Sequence, residues 1–190
     1  MFLTLDSNPT SMDKIKLFDK TFRPYIPNEE VEKAIDRAAE RVRADFENSG
    51  TIPVFLCVLN GAIMFTAAMM KRLSFPAEFV SIKSSSYIGT KSGAVNLVGL
   101  TGDIKGRSVI IFEDVVDTGN TIEALRAKLL KDGAAEVRVC TLFFKPNVFA
   151  KDFPIDYVGM NISNEFIVGC GLDYNELGRN LKDIYIIDEQ

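Results

Sequence analysis

The chain has 190 residues, 47% of them hydrophobic, with a net charge of −4 and a pI near 5.0: apolar enough for a sizeable core, and too acidic, with no long Lys/Arg run, for a protein that neutralises nucleic-acid phosphates. No apolar segment reaches the roughly 18 residues of a membrane span, and Met1 to Leu5 lack the length and basic flank of a signal peptide, so a cytoplasmic chain is expected. The absence of His excludes Ser-His-Asp and Cys-His catalysis and His-ligated zinc, and Cys57, Cys140 and Cys170 form no C-x-x-C pair, so acid–base work falls to carboxylates, Lys or Tyr.

Residues 1–27, with Pro9, Pro24 and Pro27, read as irregular apart from a short strand over Ile15 to Phe18. Asn28 has the chemistry of a helix N-cap, and Glu29 and Glu30 that of a first turn. Val31, Ile35, Ala38, Val42 and Phe46 then mark one apolar face of a helix running to about Asn48. Pro53 to Leu59 is a buried strand, Asn60-Gly61 a sharp break, and Ala62 to Leu73 a helix. Such a turn can bind an anion or simply connect, and the residues allow both. Ala77 to Lys83 is the next strand. The alternation of strand and helix predicts an α/β fold, a parallel sheet with helices on both faces.

Ser84 to Gly99 is polar, glycine-containing and long, either a lid or a disordered loop, and Val95 to Leu100 reads as the return strand of a hairpin. Glu136 to Phe144 is a strand ending at Lys145-Pro146. A Lys at the carboxyl end of a parallel strand points to the ligand crevice, although taken alone it is better read as an ordinary solvated side chain. Ile155 to Ile162, Phe166 to Val168 and Ile184 to Ile187 are short strands. Gly169-x-Gly171 lacks the third glycine and the helix of a dinucleotide fingerprint, so NAD binding is rejected.

The chain is organised around residues 109–121. Val109 to Phe112 reads as a buried strand, followed by Glu113-Asp114, two apolar residues, Asp117 and the turn Thr118-Gly119-Asn120-Thr121. Ile122, Leu125, Leu129 and Leu130 continue at helical spacing up to Gly133, a suitable helix terminator. The start of that helix offers unpaired N–H groups and a positive dipole end to a phosphate. Carboxylates beside a phosphate cradle repel their ligand unless it also carries sugar hydroxyls or a divalent cation.

This ordered string closely resembles the phosphoribosyl-pyrophosphate (PRPP) signature of type I phosphoribosyltransferases. Over residues 28–188 the chain resembles the hypoxanthine-guanine phosphoribosyltransferases. Val58-Leu59-x-Gly61-Ala62 is similar to their pyrophosphate loop, Ser86-Tyr87 to their flexible loop, and Lys145 to the Lys on the purine 6-oxo group. Phe166-Ile167-Val168-Gly169 is similar to the segment that stacks on the base and reads its edge, and Leu172 to Glu176 with Arg179 to the metal- and pyrophosphate-binding tail. One departure stands out: Asn60 occupies the position where the family usually carries Lys.

The resemblance implies one domain over residues 1–190, with a core of about 28–144 and a hood from 1–27 and 145–190. It implies transfer of the ribose 5-phosphate group of PRPP to N9 of hypoxanthine or guanine, with Mg²⁺ and a homodimer or homotetramer. Thr118, Gly119, Asn120 and Thr121 then hold the 5′-phosphate. Glu113 and Asp114 hold ribose or metal, Asp173 the metal, and Asn60, Gly61, Ser86, Tyr87 and Arg179 the pyrophosphate. Lys145, Phe166 and Ile167 hold the purine, and Asp117 is the general base. A non-proline cis peptide is expected at Leu59-Asn60. The rival reading is a PRPP-sensing regulator that binds nucleic acid on the same fold, which requires a basic face.

Overall fold

The computed structural model describes residues 13–85, 96–98 and 103–188. Its strands and helices are β1 (Ile15–Leu17), β2 (Lys20–Ile26), α1 (Asn28–Phe46), β3 (Val54–Leu59), α2 (Ile63–Met70), β4 (Glu78–Ser85) and β5 (Asn96–Val98). They continue with β6 (Ser108–Val116), α3 (Asn120–Lys131), β7 (Glu136–Phe144), β8 (Tyr157–Asn161), β9 (Ile167–Val168) and β10 (Ile184–Ile187).

The larger sheet runs β5-β4-β3-β6-β7-β8, parallel throughout except for the antiparallel edge β5. Its strands alternate between two buried faces. Phe55, Ile110, Phe112, Cys140 and Leu142 pack with α1 and α2, while Leu56, Val58, Val109, Ile111, Val137 and Val139 pack with α3. Burial on both sides explains why these strands read as continuous apolar runs. A second, antiparallel sheet of order β1-β2-β10-β9 joins the two ends of the chain into a small lobe. This is the expected type I phosphoribosyltransferase architecture. β8 belongs to the large sheet, so that sheet extends past residue 144. Among the described residues no helix is long and apolar enough to cross a membrane.

Three local expectations are corrected. Residues 20–26 form a strand despite Pro24. β1 pairs only as far as Phe22, and on the other side the register with β10 jumps from Ile26 to Pro24. The proline thus sits at a bulge, where its missing N–H costs no ladder bond. Asn28 is not the cap of α1: Pro27 is, and the Asn28 N–H donates to Asp183 Oδ1 at 2.7 Å, a partner no local pattern reveals. Finally, β6 does not stop at Phe112. Its pairing with β3 ends at Phe112, but the ladder to β7 continues to Val116, paired with Phe144, so Glu113 and Asp114 sit on the strand rather than in the turn.

Candidate active site

The carboxyl ends of β3, β6 and β7 lie side by side, where ligands of parallel α/β sheets bind. The pairing of Val116 with Phe144 sets the next two residues, Asp117 and Lys145, opposite one another. The Lys145 N–H donates to Val116 O at 3.0 Å. Its side chain runs inward, 9% exposed, and Nζ donates to Asp117 Oδ2 at 3.3 Å and to Asn164 O at 3.2 Å. Asp117 is itself half exposed. Lys145 is therefore a buried cation held between Asp117 and the Asn164 carbonyl, not a solvated side chain.

Beyond Asp117 the chain turns through Gly119 into α3. Gly119 has φ +80°, and a Cβ there would stand 2.6 Å from the Phe149 ring and 3.0 Å from Lys151 Cγ, so only glycine fits. No side chain caps α3. Its first amides stay open to a ligand, and a cavity of about 100 Å³ lies over them, lined by residues 113 and 115–122.

On β6, Glu113 is partly and Asp114 almost wholly withdrawn from solvent, side by side. Burial pushes the Glu113 carboxyl well above the ordinary glutamate value, and the neighbouring Asp114 charge adds to the effect. Burial raises Asp114 too, opposed by the Val115 N–H that it accepts at 2.7 Å. Glu113 Oε2 is buried with no hydrogen-bond partner among the described residues. Such a pair resists carrying two charges until something positive or hydrogen-donating arrives.

The turn after β3 closes on this pair. The Leu59–Asn60 peptide is cis, as expected, and Asn60 is exposed. A Cβ on Gly61 would fall 1.6 Å from Asp114 Oδ2, and one on Gly171 would fall 2.0 Å from Gly61 O. The 60–61 turn, acidic strand and C-terminal segment thus meet at two glycines, Gly61 against the Asp114 side chain and Gly171 against the Gly61 backbone. Arg179 secures the third party, donating to Gly171 O at 2.8 Å and pairing with Asp173 at 2.6 Å and Glu176 at 3.1 Å. Asp173 also accepts the Glu176 N–H at 2.7 Å. Its carboxylate is already engaged on both oxygens.

Phe166 leaves a ring 45% exposed, braced by Phe22 at 6.3 Å and Tyr174 at 6.0 Å. Ile167 is buried at 5% in the α1 cluster, so only its backbone remains for a ligand. The structure therefore brings Gly61 against Asp114 and Gly171, Lys145 against Asp117 and the Asn164 carbonyl, and Phe166 against Tyr174. Ser86 and Tyr87 lie outside the described residues. Sequence reasoning missed the Asn164 carbonyl, a backbone group with no sequence mark. It also missed Gly171, visible only as half of a rejected glycine motif.

Residues 25–175 match the phosphoribosyl transferase domain. The hypoxanthine-guanine phosphoribosyltransferase of Streptococcus pneumoniae is 35% identical over 168 residues, 87% of this chain and 92% of that protein. The hypoxanthine-guanine-xanthine enzyme of Tritrichomonas foetus is also 35% identical, over 94% and 98%. A solved hypoxanthine phosphoribosyl transferase of Trypanosoma cruzi superposes with a TM-score of 0.80 at 29% identity, covering 92% of this chain and 95% of that one. The fold, the acidic strand end and the Thr-Gly cradle are those of a phosphoribosyl transferase. Within that class, the chain belongs to the hypoxanthine-guanine phosphoribosyltransferase family.

Proposed function

We propose that the chain transfers the 5-phosphoribosyl group of PRPP to N9 of hypoxanthine or guanine, giving IMP or GMP and pyrophosphate, in purine salvage. The observation that carries this reading is the Asp117–Lys145 pair at the rim of the phosphate cradle. A 6-oxopurine presents N7 and O6 side by side on one edge. Lys145 has only donors and suits O6, whereas a 6-amino group would leave it unpaired. Asp117 accepts the proton from N7 as N9 attacks. The N9–C1′ bond forms, the bond from C1′ to the pyrophosphate oxygen breaks, and its electron pair leaves with pyrophosphate.

The rest of the crevice divides the donor between its parts. The open amides of α3, with Thr118 to Thr121, hold the 5′-phosphate. The 60–61 turn and Arg179 hold pyrophosphate, and Phe166 stacks on the base. Ser86 and Tyr87, by the resemblance, complete the pyrophosphate site. Glu113 and Asp114 receive the ribose hydroxyls or Mg²⁺, and the unpartnered Glu113 Oε2 is the atom that calls for one of them. Mg²⁺ keeps most of its waters and binds through one or two carboxylates plus phosphates. A cage of three acidic ligands is thus not required, and none occurs among the described residues. When bound, the ion would neutralise charge on the leaving pyrophosphate. Asp173, tied to Arg179, would reach it through water.

α2 is apolar all round, with Ile63, Met64 and Met70 left 49%, 48% and 42% exposed. Such a helix needs cover, and we assign that cover to a second copy of the chain, giving a homodimer or a homotetramer. The reaction is placed in the cytoplasm. The rival regulator reading draws no support from the relatives, which are named as enzymes. The test is incubation with PRPP, Mg²⁺ and hypoxanthine, guanine, xanthine or adenine in turn. Nucleotide should form from the first two, and none from adenine. Failure with every base would remove the proposal. Xanthine is the open comparison, because relatives of equal identity differ by it in name.

A further inference from the structure

Lys151 lies outside every motif that points to the site, yet its side chain is only 16% exposed. A lysine usually keeps its ammonium in water. This one lays its stem against the back of the cradle: its Cγ would be 3.0 Å from a Cβ on Gly119, beside the Phe149 ring at 2.6 Å. Its Nζ donates to Glu123 Oε2 at 2.8 Å. Glu123 stands in the first turn of α3, and its own N–H donates to Gly119 O at 2.9 Å. One side chain therefore touches both ends of the turn whose amides face the cavity. The segment that carries it is stiff, because Phe149 packs edge-on to Phe144 at 5.2 Å and to Phe153 at 5.6 Å.

The cavity itself is lined by residues 113 and 115–122, with two carboxylates and no Lys or Arg. A phosphate there depends on backbone geometry, and on cations just behind the lining. We propose that Lys151 is a positioning residue for the 5′-phosphate: its bridge to Glu123 holds the first turn of α3 against the 149–153 segment, so that the amides keep their aim. This rests on the phosphoribosyl transfer reading. It adds to that reading a residue outside the signature, which acts through Gly119 and Glu123 and not by touching the purine.

The test compares Lys151→Ala, Lys151→Met and Lys151→Arg by steady-state kinetics and by calorimetric titration with inorganic phosphate. Losing a bridge whose lysine is mostly buried but whose glutamate is half exposed should raise KM for PRPP about three- to fivefold. KM for hypoxanthine and kcat should stay within about twofold, the pattern of lost uniform binding. Methionine keeps the stem and should still show the loss, while arginine restores the bridge and should recover most of it. Phosphate affinity should fall in parallel. Unchanged KM for PRPP with unchanged phosphate affinity would overturn the assignment. So would equal damage to both substrates and kcat together with a lowered melting temperature. If the wild type transfers nothing, the activity reading has failed, and the phosphate titration still decides the role of Lys151.

Discussion

Lys145 Nζ stands 3.3 Å from Asp117 Oδ2, with the lysine buried and the aspartate half exposed. The two belong to neighbouring strands, and the register of Val116 with Phe144 brings them together. On the proposed reading, these two groups are the acceptor for N7 and the donor for O6.

Asp117→Asn keeps an oxygen for Lys145 but cannot take a proton. It should lower kcat by about 10²–10⁴-fold, the usual range for loss of a general base. KM for PRPP should change little. Single-turnover rates at saturating PRPP and hypoxanthine provide the check, and unchanged turnover would take the base role from Asp117.

Lys145→Ala should raise KM for hypoxanthine and guanine by about tenfold or more, the worth of a charge-assisted bond. KM for PRPP should hold. Because Asp117 is half exposed, it can be solvated after the change, so the protein should remain folded. A loss confined to PRPP would move Lys145 out of the base pocket.

Gly61→Ala inserts a methyl where Asp114 Oδ2 lies 1.6 Å away. Either the loop or the carboxylate must shift, and a displacement of that order at a reacting centre costs about 10²-fold in rate. kcat/KM for PRPP is the quantity to measure. Circular dichroism should show the fold retained.

Glu113 lends the apo protein a pH-dependent stability whose sign is set by burial. Its folded pKa lies well above the 4.5 of a free glutamate, so between those values the folded state binds more protons than the unfolded one. Its contribution is complete below the unfolded pKa and is lost as pH rises through the folded one. Asp114, also raised, acts in the same direction. Glu113→Gln should flatten this slope and stabilise the ligand-free protein above neutrality by about 1 kcal/mol, while impairing transfer. Melting temperatures from pH 4.5 to 8.5 test it; a variant less stable than wild type at pH 8 would contradict the burial argument.

Met64→Glu places a charge on the exposed face of α2. If a second copy covers that face, light scattering should shift from dimer or tetramer to monomer. A wild type that is monomeric at every concentration would end the assignment.

Much of this molecule was legible in the chain. Apolar runs located β3, β6, β7 and β10, the 3.6-residue spacing from Val31 to Phe46 located α1, and the string from Glu113 to Thr121 located the residues that line the cavity over α3. These signals are local, because burial on both faces and helix periodicity leave their marks on consecutive residues. Other features needed the tertiary structure. Asp183 meets Asn28 across 155 positions, Gly171 abuts Gly61, and Lys151 reaches the back of Gly119. The family, and the candidate groups for its chemistry, were written in residue types and their spacing. Their distances, the burial of Asp114 and the placement of Lys151 against Gly119 depend on which distant segments share a strand end. That is decided by packing, which no single stretch of sequence contains.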